Sequence, residues 1–120
     1  MRTHTLGERG EELAAEHLER LGFEVLARRH RTRYGELDLI ASDDDLVVFV
    51  EVKTRRAGGG HPWESLDERK RRQVRAMGAA WLAEGRAGGR YFPSLRFDAI
   101  AVIVDRAGAL VSLEHMEGAF

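Results

Sequence analysis

Leu46-Val47-Val48-Phe49-Val50-Glu51-Val52-Lys53-Thr54 is the run whose reading decides the fold. β-Branched and aromatic residues fill it, so it reads as a strand, and its apolar character on both alternating faces makes it the most central one. Val47, Phe49, Glu51 and Lys53 share one face, while Val48, Val50 and Val52 share the other. Two charges close an otherwise apolar face. Burying a charge is costly unless it is paired or bound to a metal. Two accounts follow: a Glu51–Lys53 ion pair at a fraying strand end, or a functional site.

Working upstream, Asp43-Asp44-Asp45 is a turn, and Glu36 to Ala41 reads as a strand that a hairpin folds back beside the first. That hairpin brings Asp38 near Glu51. Phe23 to Arg29 reads as a further strand, followed by the basic stretch Arg28-Arg29-His30-Arg31-Thr32-Arg33 leading to Gly35. Leu13, Ala14, His17, Leu18 and Leu21 recur at helical spacing before Gly22, which predicts a helix over 6–21. Downstream, residues 55–64 form a glycine-rich loop, and Ser65-Leu66-Asp67-Glu68 forms a capping box. The helix it opens runs to about Glu84, with Leu66, Val74, Met77, Gly78, Trp81 and Leu82 on one side and arginines on the other. Leu95 to Val104 and Leu110 to Leu113 complete the pattern as strands joined by a turn at Asp105–Gly108. The order predicts an α/β domain over 1–120, with a mixed central sheet of about five strands flanked by helices.

With 120 residues, 43% apolar and 32% charged, the chain has enough material for one core, and a net charge of −1 excludes a uniformly basic nucleic-acid coat. The basic residues cluster instead: residues 28–90 hold 14 basic and 10 acidic side chains. No apolar run approaches the ~20 residues of a membrane span, and the polar N-terminus lacks a signal peptide's apolar middle. A cytoplasmic protein without membrane contact is expected. The absence of cysteine removes disulfides, thiolate zinc sites and thiol nucleophiles, so any metal site would be rich in oxygen ligands.

Asp38 and Glu51 would supply such ligands, which suit Mg²⁺ or Mn²⁺, and Lys53 would stand beside them as a catalytic cation. Of 19 basic residues only Lys53 and Lys70 are lysine. A lysine kept where arginine is otherwise used marks a place that a planar guanidinium does not fill. Lys70, Arg71, Arg72 and Arg75, with Arg31 and Arg55, are candidate phosphate contacts, although a solvated helix face also explains the first four. Glu36 is a candidate support for Asp38, and Gln73 a candidate hydrogen-bond partner near the site. The five histidines show no metal-ligand spacing, and His17 reads as a core histidine. Gly58-Gly59-Gly60 lacks the context of a phosphate loop. Asp98, among apolar residues, calls for an ion pair with Arg55 or Arg96.

Asp38, twelve intervening residues and Glu51-Val52-Lys53 match the D…(D/E)-x-K pattern of the PD-(D/E)xK nucleases. Around it stand Gly7-x-x-Gly10-Glu11-x-x-Ala14, Arg31, Gly35-Glu36-Leu37-Asp38-Leu39-Ile40-Ala41, Phe49 to Arg55, Lys70, Arg96-Phe97-Asp98, His115 and Ala119-Phe120. Together these closely resemble the YraN family of small bacterial proteins across essentially the whole chain. The resemblance implies a restriction-endonuclease-like fold related to archaeal Holliday junction resolvases. It also implies a nuclease acting on DNA, an activity inferred for the family rather than established. In the related resolvases a glutamate of the first helix joins the metal site, and Glu11 is the matching position. An ordinary carboxylate favoured by the helix dipole is the other account of Glu11. His30 departs from the family, which usually has Asn there.

The reading expected is therefore a metal-dependent nuclease with Asp38, Glu51 and Glu11 as ligands and Lys53 as catalytic cation. A non-cutting nucleic-acid-binding module and a partner-binding scaffold are the alternatives. Resolution of a junction needs two sites and hence a homodimer, yet no helix shows an apolar stripe beyond its core face.

Overall fold

A computed structural model describes residues 5–60, 67–85 and 88–120. Helix α1 spans Leu6–Arg20, and the Thr5 hydroxyl caps it by accepting from the Glu8 amide at 3.1 Å. Strands β1 (Glu24–Thr32), β2 (Gly35–Ser42) and β3 (Leu46–Arg56) follow as an antiparallel meander. Helix α2 (Glu68–Ala83) then crosses to β4 (Ser94–Val104), which runs parallel to β3, and β5 (Leu110–Met116) returns antiparallel at the far edge. The sheet order is β1-β2-β3-β4-β5, so the apolar run lies at its centre as expected.

The two helices cover opposite faces of this sheet. Leu13, Ala14 and Leu18 of α1 pack on Leu39, Val48, Val50, Ile100 and Val102. Val74, Met77 and Trp81 of α2 pack on Ile40, Val47, Phe49 and Phe97. Both helices come in close through glycine: a methyl group on Gly10 would lie 1.8 Å from Thr54 Oγ1, and one on Gly78 would lie 2.8 Å from the Phe97 ring. This is the mixed α/β sheet of a restriction-endonuclease-like fold.

Several boundaries differ from the sequence reading, and β3 itself runs to Arg56, into the stretch read as loop. β1 continues through the basic stretch to Thr32, because pairing with the apolar β2 holds residues whose own composition reads as loop. β5 extends past Leu113 to Met116, where His115 faces Ile100. The N-cap of α2 is Asp67, whose carboxylate accepts from the Lys70 amide at 2.9 Å, and Ser65 and Leu66 lie outside the described residues. Among the described residues no helix is long and apolar enough to cross a membrane.

Candidate metal and phosphodiester site

The central hairpin splits at Asp38. β2 and β3 pair from Ser42–Val47 only as far as Leu39–Val50, whereas β1 and β2 stay paired out to Thr32–Gly35. Beyond that point β3 keeps β4 as its neighbour, through to Arg56–Val104. The Val52 amide, past the last β2–β3 pair, donates to Asp38 Oδ2 at 2.7 Å. Asp38, Glu51 and Lys53 thus gather where the sheet opens. The nuclease-like spacing of these residues reflects a hairpin that is closed for four pairs and then parts.

Glu51 is buried, and its two oxygens differ. Oε1 receives Lys70 Nζ at 3.0 Å and Lys53 Nζ at 3.4 Å. Oε2 is buried and has no hydrogen-bond partner among the described residues. The chain's only two lysines converge on one carboxylate oxygen. This bears on the lysine bias: two compact ammonium groups fit around a single oxygen where two planar guanidinium forks would crowd. It also corrects the place of Lys70, which turns from the arginine-rich face of α2 toward the carboxylates. Of the two accounts set against each other on sequence grounds, the Glu51–Lys53 ion pair is present in the geometry.

Asp38 is driven toward its neutral form. Burial raises its pKa most, the Glu51 charge adds to this and Glu11 contributes further, while the Val52 amide and Lys70 oppose. The balance lifts it from its ordinary 3.8 to about 7. Burial away from water, with a second carboxylate alongside, produces this behaviour. Glu11 is half-buried on α1 and receives Arg29 Nε at 2.6 Å. Among the described residues no three carboxylates or histidines are drawn close enough to form a ready-made cage for a cation. Glu11 therefore stands beside the Asp38–Glu51 pair and is held by an arginine.

The candidate phosphate contacts divide. Arg71 lies 3.7 Å from Glu68 and Arg72 is exposed, both on the outer face of α2. Arg75 is committed to the fold: Nη2 donates to the Phe120 carbonyl at 2.6 Å, and its guanidinium lies 5.0 Å from the Phe97 ring centre. Arg55 turns back on the Thr54 carbonyl, and exposed Arg31 lies 3.4 Å from Glu36, so Glu36 serves that pair rather than Asp38. Gln73 donates to the Tyr34 carbonyl at 2.8 Å and ties α2 to the β1–β2 turn. Beside Lys70 and Gln73 a cavity of about 360 Å³ opens toward the N-terminus of α2.

A model of the uncharacterised protein family UPF0102 matches residues 10–102, a span that contains Glu11, Asp38, Glu51, Lys53 and Lys70. The chain belongs to this family. It is the family read from the sequence as YraN. A UPF0102 protein of Rhodococcus jostii is 44% identical over 116 residues, covering 96% of this chain and 95% of the relative. One from Pelotomaculum thermopropionicum is 45% identical over 117 residues, covering 96% and 94%. One from Acidothermus cellulolyticus is 42% identical over 123 residues, covering 96% and 92%.

This UPF0102 chain carries a second polar assembly that the motif reading touched only in pieces. Fully buried Asp98 accepts from Arg96 at 2.9 Å, from the Gly118 amide at 3.0 Å and lies 2.8 Å from His115 Nε2. His115 Nδ1 in turn lies 3.0 Å from His17 Nε2 on α1. Burial first, and His115 second, lower the His17 pKa. The expected Asp98–Arg96 pair is present. His17 pins α1 to the edge strand through His115. Residue types alone do not show this, because His17 and His115 lie almost the whole chain apart.

Proposed function

We propose that this protein is a metal-dependent nuclease that hydrolyses DNA phosphodiesters, with Asp38 and Glu51 holding Mg²⁺ or Mn²⁺. The observation that carries the reading is the buried, unpartnered Glu51 Oε2 beside a carboxyl group whose pKa is lifted to about 7. A buried acceptor without a partner costs roughly 1–3 kcal/mol, and a divalent cation would satisfy it and relieve the repulsion together. The donors fit such an ion: Mg²⁺ is characteristically held by one or two carboxylates, with substrate phosphate and water completing its shell. The two carboxylates therefore suffice without a third.

Bound there, the ion would supply an acidified water and charge stabilisation at the phosphate. The chain's own groups do the rest. Glu51 is held in one orientation by Lys53 and Lys70 on its Oε1. Asp38 is fixed by the Val52 amide. Lys53, whose ammonium pairs with Glu51, would orient the attacking water or stabilise charge on the phosphate, and would act as a base only after losing its proton. DNA is the proposed substrate and partner, with exposed Arg71 and Arg72 as flanking phosphate contacts.

The test measures cleavage of duplex, single-stranded and branched DNA with Mn²⁺, alongside calorimetric metal titration, for wild type, Glu51→Gln and Lys53→Arg. Cleavage that needs metal and is lost in both variants, with DNA binding kept, supports the proposal. Absence of metal binding at millimolar Mn²⁺ refutes it. Salt-dependent DNA binding without metal or cleavage would instead favour a binding module that keeps the nuclease fold.

A further inference from the structure

Besides the register shift between Val25 and Ala27, the β1–β2 hairpin changes its facing at Asp38. Leu39 packs in the α1-side core and Leu37 in the α2-side core, although residues two apart on a regular strand share a face. The intervening residue is Asp38. Facing it on β1, between the pairs Arg28–Leu39 and His30–Leu37, is Arg29. Arg29 has φ +49°, and among the described residues no other non-glycine residue has a positive φ. That conformation is disfavoured for a residue with a side chain, apart from Asn and Asp. Strained backbone of this kind concentrates at functional sites. The conformation an Asn adopts readily thus falls one residue before His30.

The strained residue does something specific with its side chain. Arg29 Nε donates to Glu11 Oε1 at 2.6 Å, and the arginine side chain is 44% exposed while that of Glu11 is 19% exposed. Glu11 charge reaches Asp38 and helps to hold it neutral. Glu8 and Glu36 also face Arg29. The guanidinium therefore sits at the solvent side of a carboxylate group whose inner cations, Lys53 and Lys70, are both engaged on Glu51. It neutralises the outermost member.

We propose that Arg29 is an internal counter-ion that competes with the divalent cation for Glu11 and, once displaced, contacts the phosphate of the bound DNA. The inference rests on the metal-site reading above. A divalent ion drawn to Asp38 and Glu51 attracts Glu11 more strongly than one guanidinium does, and it repels that guanidinium. The nearest new anion is the phosphodiester, for which an arginine fork is well shaped.

The experiment titrates Mn²⁺ alone into wild type, Arg29→Asn, Arg29→Lys, Glu11→Gln and the Arg29→Asn/Glu11→Gln double variant. Asn tolerates the left-handed backbone, and Arg29→Gly serves in its place should Asn fail to fold. Arg29→Asn should bind Mn²⁺ about two- to fivefold more tightly, the scale of an exposed ion pair. Arg29→Lys should stay near wild type, and the gain should vanish in the Glu11→Gln background. In the second arm Arg29→Asn should weaken binding of an oligonucleotide in Ca²⁺ and leave it unchanged in EDTA, because only displaced Arg29 is available to phosphate. Equal Mn²⁺ affinity in wild type and Arg29→Asn overturns the competition. An equal loss of DNA affinity with and without metal overturns the transfer to phosphate. Failure of every variant to bind Mn²⁺ removes the metal reading itself.

Discussion

Asp38→Asn should stabilise the metal-free protein at neutral and alkaline pH. Asp38 is pushed from 3.8 to about 7, first by burial and then by Glu51. A raised acid binds more protons folded than unfolded between those values, so stability falls as pH rises from about 4 to about 7. Below that window the aspartate contributes no penalty, and above it the penalty is complete. A shift of about three units corresponds to about 4 kcal/mol at most. Asp38 keeps some solvent contact and shares its repulsion with Glu51, so about 2 kcal/mol is the figure to test, or roughly 6–10 °C in Tm for a chain of this size. Asn retains a carbonyl oxygen to accept from the Val52 amide, so the substitution removes charge with little loss of geometry. The assay is thermal unfolding followed by circular dichroism in EDTA for both proteins. The difference between them is the observable, since His17, with its lowered pKa, destabilises both in acid with the opposite sign. The gap should open through the window, and millimolar Mn²⁺ should close it by stabilising wild type alone. Parallel melting curves across pH would refute the claim that Asp38 is electrostatically strained.

Gly10→Ala should destabilise by about 1–3 kcal/mol through the clash with Thr54 Oγ1, and Thr54→Ala should recover part of the loss in the double variant, as read by urea unfolding. Charge reversal at Arg71 and Arg72 should leave stability within about 0.5 kcal/mol and flatten the salt dependence of DNA binding. Arg75→Glu, which breaks the Phe120 carbonyl contact and the Phe97 stacking, should lower Tm without that selective effect. Asp98→Asn should cost about 3 kcal/mol, because a fully buried acceptor of Arg96, His115 and the Gly118 amide loses its charge; unchanged melting would show that the assembly is dispensable.

The fold was legible wherever periodicity and burial coincide. The run 46–54 announces a central strand because both its faces are apolar, and α1 and α2 announce themselves by stripes that land on the two sides of that strand. The candidate pair Asp38 and Glu51 was legible for a related reason: charges in such strands need an explanation. Lys70 was misread because an arginine-rich stretch looks uniformly solvated, and only the rotation of α2 shows which residue of that stretch faces inward. The bias against lysine was the available signal, and it applied to Lys70 as much as to Lys53. Arg29 could not be found this way. Nothing in Arg28-Arg29-His30-Arg31 marks which residue takes the left-handed backbone, since that is set by where the hairpin must change facing.

The distribution of charge argues that these carboxylates serve something other than stability. Lys53 and Lys70 compensate one oxygen of Glu51, Arg29 compensates Glu11, and Asp38 has the Val52 amide yet remains held toward its neutral form. Glu51 Oε2 has no hydrogen-bond partner among the described residues. A chain under pressure only to fold would place a leucine or an asparagine at position 38, since the neighbours of Asp38 in β2 are already apolar and a neutral group would lift the repulsion on Glu51. Instead the hairpin parts at that residue, and the adjoining strand adopts a disfavoured conformation at the facing position. The sheet gives up β2–β3 pairing where Asp38 is held toward its neutral form. A divalent cation would favour the charged form of Asp38 and give Glu51 Oε2 a partner, and a purely structural role for Asp38 would not.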